Sequence, residues 1–154
     1  KYLYRRIKEE LPKEDYVVPI GRAAVRREGR DLAILTYGAM LYQALEAADV
    51  LAREDGVQTE VVDLRSLLPL DKDAILGAAK KTGKVLVVHE DTRTGGIAGE
   101  IAAIVNEEVF EYLDGPVLRV TAPDTPVPYS PPLEEFFLPN KQKILKAARQ
   151  LAAY

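Results

Sequence analysis

Residues 84–114 read KVLVVHEDTRTGGIAGEIAAIVNEEVFEYLD. The run Val85-Leu86-Val87-Val88 follows a turn at Thr82-Gly83. A short apolar run, rich in β-branched residues and without polar alternation, reads as a strand buried on both faces. His89 to Gly96 is polar, holds two glycines and reads as a loop. A helical pattern follows, in which Ile101, Ile104, Val105, Val109 and Tyr112 fall on one side. Strand, polar loop and helix make half of a βαβ unit.

The same grammar repeats on both sides of this stretch. Upstream, Asp71 caps a helix that runs to Lys81, with Asp73 adding favourable charge in its first turn. Val57 to Leu64 is a strand, and the loop after it holds Pro69. Gly38 opens a helix from Ala39 to about Glu54, and Asp55-Gly56 stops it. Leu32-Ala33-Ile34-Leu35 is a buried strand. Ala24-Val25, set among Arg22, Arg26 and Arg27, reads as an edge strand whose charges discourage stray pairing. A tight turn at Glu28-Gly29-Arg30 joins these two strands and makes the first the antiparallel edge. Downstream, Val117 to Val120 is a last strand. Ala122 to Asn140 contains Pro123, Pro126, Pro128, Pro131, Pro132 and Pro139, so it is expected to run extended without regular structure. Asn140 caps a terminal helix with Ile144, Leu145, Ala148 and Leu151 inward. The order β, β, α, β, α, β, α, β, α predicts a three-layer α/β/α domain. Its mostly parallel sheet has about five strands and one antiparallel edge strand.

A chain of 154 residues carries one domain with a real core. Its net charge of −3 gives no reason to expect nucleic acid as a partner. The absence of cysteine excludes disulfides, thiol catalysis and cysteine-ligated metals, and the single histidine, His89, argues against a zinc site. There is no G-x-S-x-G elbow. No apolar run approaches the ~18 residues that cross a membrane, so no membrane partner is expected. Cytoplasmic residence is the default expectation. Lys1 to Ile20, basic at Lys1, Arg5, Arg6 and Lys8 and broken at Pro12 and Pro19, reads as a linker laid on a surface.

Four constellations bear on function. Gly95-Gly96, between a strand's carboxyl end and a helix, offers backbone N–H groups to an anion, or serves only to turn tightly and seat the helix. His89, Glu90 and Asp91 stand where open α/β sheets bind ligands. Beside two carboxylates His89 would have a raised pKa and could shuttle protons; a hydrogen-bonded histidine at a subunit contact is the favoured reading. Glu100, Glu107, Glu111 and Asp114 follow one another at intervals that form a narrow stripe on one continuous helix. Acids at a helix C-terminus are mildly unfavourable, so the stripe is either a solvated face or a landing site for a basic partner. Asp124-Thr125-Pro126-Val127-Pro128-Tyr129 is a rigid hook with an aromatic tip that packs on its own sheet or docks on another chain.

Taken in order, these pieces resemble a known family. Gly21-Arg22-Ala23, Tyr37-Gly38-Ala39, Glu60 to Leu67, Pro69-Leu70-Asp71 and Lys81-Thr82-Gly83 come first. Val88-His89-Glu90, Thr94-Gly95-Gly96, Glu100-Ile101-Ala102, Asp124-Thr125-Pro126 and Leu138-Pro139-Asn140 follow. The chain resembles the C-terminal, transketolase-like domain of the β subunit of thiamine-diphosphate-dependent 2-oxo acid dehydrogenases, the E1 components of the pyruvate and branched-chain complexes. The Val-His-Glu and Thr-Gly-Gly residues lean to the branched-chain type.

This resemblance implies that residues 1–20 are the linker from a missing pyrimidine-binding domain and that residues 21–154 form the transketolase C-terminal-like domain. It implies thiamine diphosphate and Mg²⁺ in the parent enzyme, with no catalytic, cofactor-binding or metal-binding residue in this chain. The implied partners are the E1 α subunit, a second β subunit in an α2β2 tetramer, and the basic peripheral subunit-binding domain of the E2 acyltransferase. Glu107, Glu111, Asp114 and the terminal carboxylate of Tyr154 are the candidates for the E2 landing site, and His89, Glu90, Asp124 and Tyr129 for subunit contacts. The implied residence is the cytoplasm of a bacterium or archaeon, or the mitochondrial matrix of a eukaryote. The rival reading is a stand-alone module that binds an anionic small molecule at Gly95-Gly96.

Overall fold

A computed structural model describes residues 3 and 7–154. Of the N-terminal linker, residues 1, 2 and 4–6 lie outside the described residues, and residues 7–19 form neither helix nor strand. Five strands follow: β1 (Ala24–Arg27), β2 (Leu32–Thr36), β3 (Thr59–Asp63), β4 (Val85–Thr92) and β5 (Leu118–Ala122). The helices are α1 (Met40–Val50), α2 (Lys72–Thr82), α3 (Ile97–Val109), α4 (Pro131–Phe137) and α5 (Lys141–Ala152).

The sheet has the order β1-β3-β2-β4-β5, with β1 antiparallel to β3 and every other pair parallel. Side chains alternate across a strand, and β2 shows what that does here. Leu32 and Ile34 enter a core with α1 and α5, while Ala33 and Leu35 enter a second core with α2 and α3. All five residues of β2 are buried, which explains why it reads as a continuous apolar run. Three layers follow directly: α1 and α5, the sheet, α2 and α3.

The antiparallel edge is where the sequence places it, but its neighbour is β3 and not β2. Both edges of β2 are taken by parallel partners. The Glu28-Gly29-Arg30 turn instead lies over the start of β3. The N–H groups of Arg30 and Asp31 both donate to the Gln58 carbonyl at 2.9 Å, and the Asp31 carboxylate accepts from the Gln58 N–H at 2.7 Å. A Cβ at Gly29 would strike the Thr59–Glu60 backbone.

Three local expectations change. The proline-rich segment contains α4, because Pro131 and Pro132 occupy the first helical turn, where a missing N–H costs nothing. The Ser130 carbonyl accepts from the N–H groups of Leu133 and Glu134 at 3.0 and 2.9 Å. β4 runs past the apolar residues to Thr92, so His89 sits in a strand rather than a loop. The long helix breaks at Val109 (φ −144°, ψ 24°) into a short tight turn over Phe110–Tyr112. Tyr112 is therefore not on its buried face but 47% exposed, with the Lys80 ammonium over its ring at 5.2 Å.

The caps at Asp71 and Asn140 form as expected. Asn140 accepts from the Lys143 N–H at 3.0 Å. Asp71 accepts from Ala74 N–H at 3.2 Å with one oxygen and from Ala23 N–H at 2.9 Å with the other, which ties α2 to the segment entering β1. Asp71→Ala orphans both donors and is expected to lower the unfolding free energy by roughly 1–2 kcal/mol; urea denaturation measures it.

Candidate functional site

At the carboxyl end of β4, His89 is fully buried. Two backbone N–H groups point at its ring: Asp91 N–H lies 3.2 Å from Nδ1 and Ala98 N–H lies 3.3 Å from Nε2. A neutral imidazole has one acceptor nitrogen, and an imidazolium has none. Protonation would thus set N–H against N–H on both sides. Burial pushes the His89 pKa below its ordinary 6.5, the nearby Arg119 cation acts in the same sense, and the Asp91 carboxylate opposes them without prevailing. The raised pKa expected from its sequence neighbours is overturned: Glu90 and Asp91 are exposed, whereas the ring lies inside. Nor does the His89 side chain reach a surface where another subunit could touch it. Its visible effect is to join β4 to the first turn of α3. Tyr37 lies alongside, its ring centroid 6.3 Å away, with its pKa raised by burial and by Asp91 and Glu90.

Gly96 closes this arrangement from above. A Cβ there would meet His89 Cε1 at 2.6 Å and Nε2 at 3.0 Å, and would strike the Thr92 carbonyl. Gly95 makes the preceding turn at φ +76°. The helix N-terminus has little to offer an anion, since Ala98 N–H is engaged by His89 and Gly99 N–H by the Gly96 carbonyl at 3.1 Å. The cleft beside it, of about 730 Å³, sets Asp91 and Glu100 against Arg93 and Arg119. It favours neither sign of charge.

The loop is pinned from the other side by the hook. Asp124 accepts from the Thr94 N–H at 2.8 Å and from the Thr94 hydroxyl at 2.7 Å. These two bonds, with Arg93 assisting, hold its carboxyl below the usual aspartate range. Asp124 thus works within the chain, while Glu90 stays exposed and Tyr129, at the hook's tip, is 99% exposed.

The acidic candidates lie elsewhere. Because the helix breaks at Val109, Glu100, Glu107, Glu111 and Asp114 do not form one continuous helical stripe. The break instead brings Asp114 and Tyr154 to one groove of about 600 Å³, floored by Leu113, Pro116 and Val117 and edged by Phe110, which is 65% exposed. Asp114 N–H donates to the Gly83 carbonyl at 2.8 Å, and its carboxylate lies where a Cβ of Gly83 would be. Glu107 and Glu111 are exposed nearby in the chain but do not line the groove. Sequence reasoning missed Phe110; its signal was an aromatic off the apolar side of the helix pattern. Among the described residues no group of three or more metal-binding side chains is placed to hold a cation.

Gly96→Ala, forced against His89, is expected to cost about 2–3 kcal/mol in denaturant unfolding. A second outcome concerns pH. A depressed histidine pKa contributes stability that is fully present above the unfolded value of 6.5 and is lost as pH falls through the folded value. The thermal midpoint is expected to drop as pH is lowered from the unfolded value of 6.5 toward the depressed folded value, and His89→Gln, which accepts without titrating, is expected to flatten that drop.

Residues 21–144 match the family model "Transketolase, C-terminal domain". The whole chain is 50% identical to 47% of the 2-oxoisovalerate dehydrogenase subunit beta of Bacillus subtilis. Over 99% of its length it is 45% identical to 46% of the pyruvate dehydrogenase E1 component subunit beta of the same organism. The chain spans about half the length of the relatives it matches. Among solved structures, a split-gene transketolase described as an inactive beta4 tetramer superposes with a TM-score of 0.78 at 29% identity, covering 94% of this chain and 46% of that one. A 2-oxoglutarate:ferredoxin oxidoreductase from Magnetococcus marinus shares the fold, with a TM-score of 0.57 at 16% identity over 85% of this chain and 20% of that one. The chain belongs to the transketolase C-terminal domain family, in the form carried by the C-terminal half of 2-oxo acid dehydrogenase E1 β subunits.

Proposed function

We propose that this chain is the assembly and E2-docking domain of an E1 β subunit. The parent enzyme would decarboxylate a 2-oxo acid with thiamine diphosphate and Mg²⁺ and pass the acyl group to a lipoyl group on E2, in the cytoplasm of a bacterium or archaeon. Its partners would be the E1 α subunit, a second β subunit and the peripheral subunit-binding domain of E2.

The observation that carries the docking reading is the groove at the end of α3. It combines an apolar floor, an exposed aromatic at Phe110 and the carboxylate of Asp114, with Tyr154 on its edge. Glu107 and Glu111 add charge from the same end of the helix. An apolar centre with acidic surroundings suits a small basic domain: apolar contact supplies affinity, and charge supplies steering and orientation. Subunit contact would fall to Glu90 and Tyr129, both exposed, with Asp124 shaping the hook from within.

Calorimetric titration of the chain with an isolated E2 peripheral subunit-binding domain, at low and moderate salt, tests this reading. Asp114 is engaged with Gly83, so the informative variant reverses charge at Glu107 and Glu111, both exposed. Glu107→Lys/Glu111→Lys is expected to weaken binding about ten-fold at low salt, with the thermal midpoint unchanged. Unchanged affinity in a folded variant would remove these residues from the site. Saturable binding of thiamine diphosphate by the chain alone would overturn the reading.

A further inference from the structure

Asp114 and Tyr154 both line the groove at the end of α3, and neither stands free. The turn that leads from α2 into β4 holds them both. Gly83 closes α2 at φ +64°, in the left-handed region that favours glycine. Its carbonyl accepts from the Asp114 N–H at 2.8 Å, and the Asp114 carboxylate fills the space that a Cβ at Gly83 would need.

The next residue bears on Tyr154. Lys84 is half-buried, and its ammonium donates to the Ala152 carbonyl at 3.2 Å. Ala152 is the last residue of α5, where carbonyls lack partners within the helix and a cation is favourable. Arg149, the basic residue of that last turn, is turned instead to Glu54 and Asp55, at 2.7 and 2.9 Å. Lys84 therefore supplies the cation at this helix end from a distant part of the chain. Beyond it, the Tyr154 N–H donates back to the Leu151 carbonyl at 3.3 Å.

Gly115 receives the ring. A Cβ there would meet Tyr154 Cγ at 3.1 Å, Tyr154 Cβ at 3.2 Å and Leu151 Cδ1 at 3.3 Å. Leu151 is fully buried in the close-packed core with α1 and cannot yield, whereas Tyr154 is 64% exposed and can. A methyl added at Gly115 would therefore move Tyr154.

We infer that Lys84 is a positioning residue of the docking groove, a role that rests on the docking reading above. Lys84 stands outside the groove. By fixing the end of α5 it holds Tyr154 seated on Gly115, where a partner meets a ring that is already ordered. A partner that must order the ring itself binds more weakly. The sign of the effect separates this role from plain electrostatics. Removing a positive charge beside an acidic groove strengthens attraction for a basic partner; loosening Tyr154 weakens binding.

Two measurements test it together. The chain has no tryptophan, so Tyr154→Trp places a single indole at this position and keeps the Cβ and Cγ that rest on Gly115. In that background Lys84→Met is expected to raise acrylamide quenching and shift the emission to the red. With Tyr154 in place, Lys84→Met is expected to weaken binding of the isolated E2 peripheral subunit-binding domain about three- to ten-fold in calorimetric titration. Lys84→Arg, which can still donate to the Ala152 carbonyl, is expected to restore both readings. Gly115→Ala is expected to act in the same direction as Lys84→Met. All variants are compared well below their thermal midpoints. Quenching that is the same in every folded variant would overturn the inference. So would increased quenching with unchanged affinity, since the seat would then not serve docking, and so would tighter binding by Lys84→Met. Absence of binding by the unaltered chain, with the quenching response intact, would remove the docking reading and leave the seat of Tyr154 standing.

Discussion

Burial of β2 and β4 from both sides is the constraint on which this molecule rests. All of β2 and the first five residues of β4 are shielded from water, and their backbone groups are held in parallel ladders. Such strands need helices on both faces, or apolar surface on one face stays in water. The two cores are therefore not independent choices. Side chains that alternate along one strand feed both, so a change in the register of β2 would empty one core into the other.

The carboxyl end of β4 shows this constraint turned to shaping a loop. The strand continues past its apolar run and carries His89 inside, where two N–H donors converge on a ring that accepts from one of them when neutral and from neither when protonated. Gly96 then allows α3 to begin directly over the imidazole. Asp124, from after β5, holds Thr94 from the other side. The polar residues that looked most like chemistry are spent on geometry: they fix the glycine loop and aim the hook. Glu90 and Tyr129 remain exposed there.

The two grooves of this domain lie where secondary structure ends or begins. The apolar groove exists because α3 breaks at Val109 and lets Phe110 turn outward beside Leu113 and Tyr154. An acidic groove between α1 and α4, lined by Glu46, Glu90, Glu134 and Glu135, exists because two prolines start a short helix instead of preventing one. Both join apolar area to carboxylates, a pairing suited to basic partners and of little use to a small anionic ligand.

The amino-acid sequence by itself determined the layer architecture, the strand and helix order, the caps at Asp71 and Asn140 and the family resemblance. These depend on periodicity and on local hydrogen bonds within a few residues, which a linear reading captures. It also marked Gly95-Gly96, Asp114, Asp124 and Tyr154 as residues that matter, without saying to whom each belongs. Only the tertiary structure decided that β1 joins β3, that His89 is interior, that Asp124 binds Thr94 within the chain, and that Asp114 and Tyr154 line one groove. Each of these is a contact between distant parts of the chain, or a burial such contacts produce. Pairing of that kind is set by which surfaces the packed layers leave open, and no local pattern carries it.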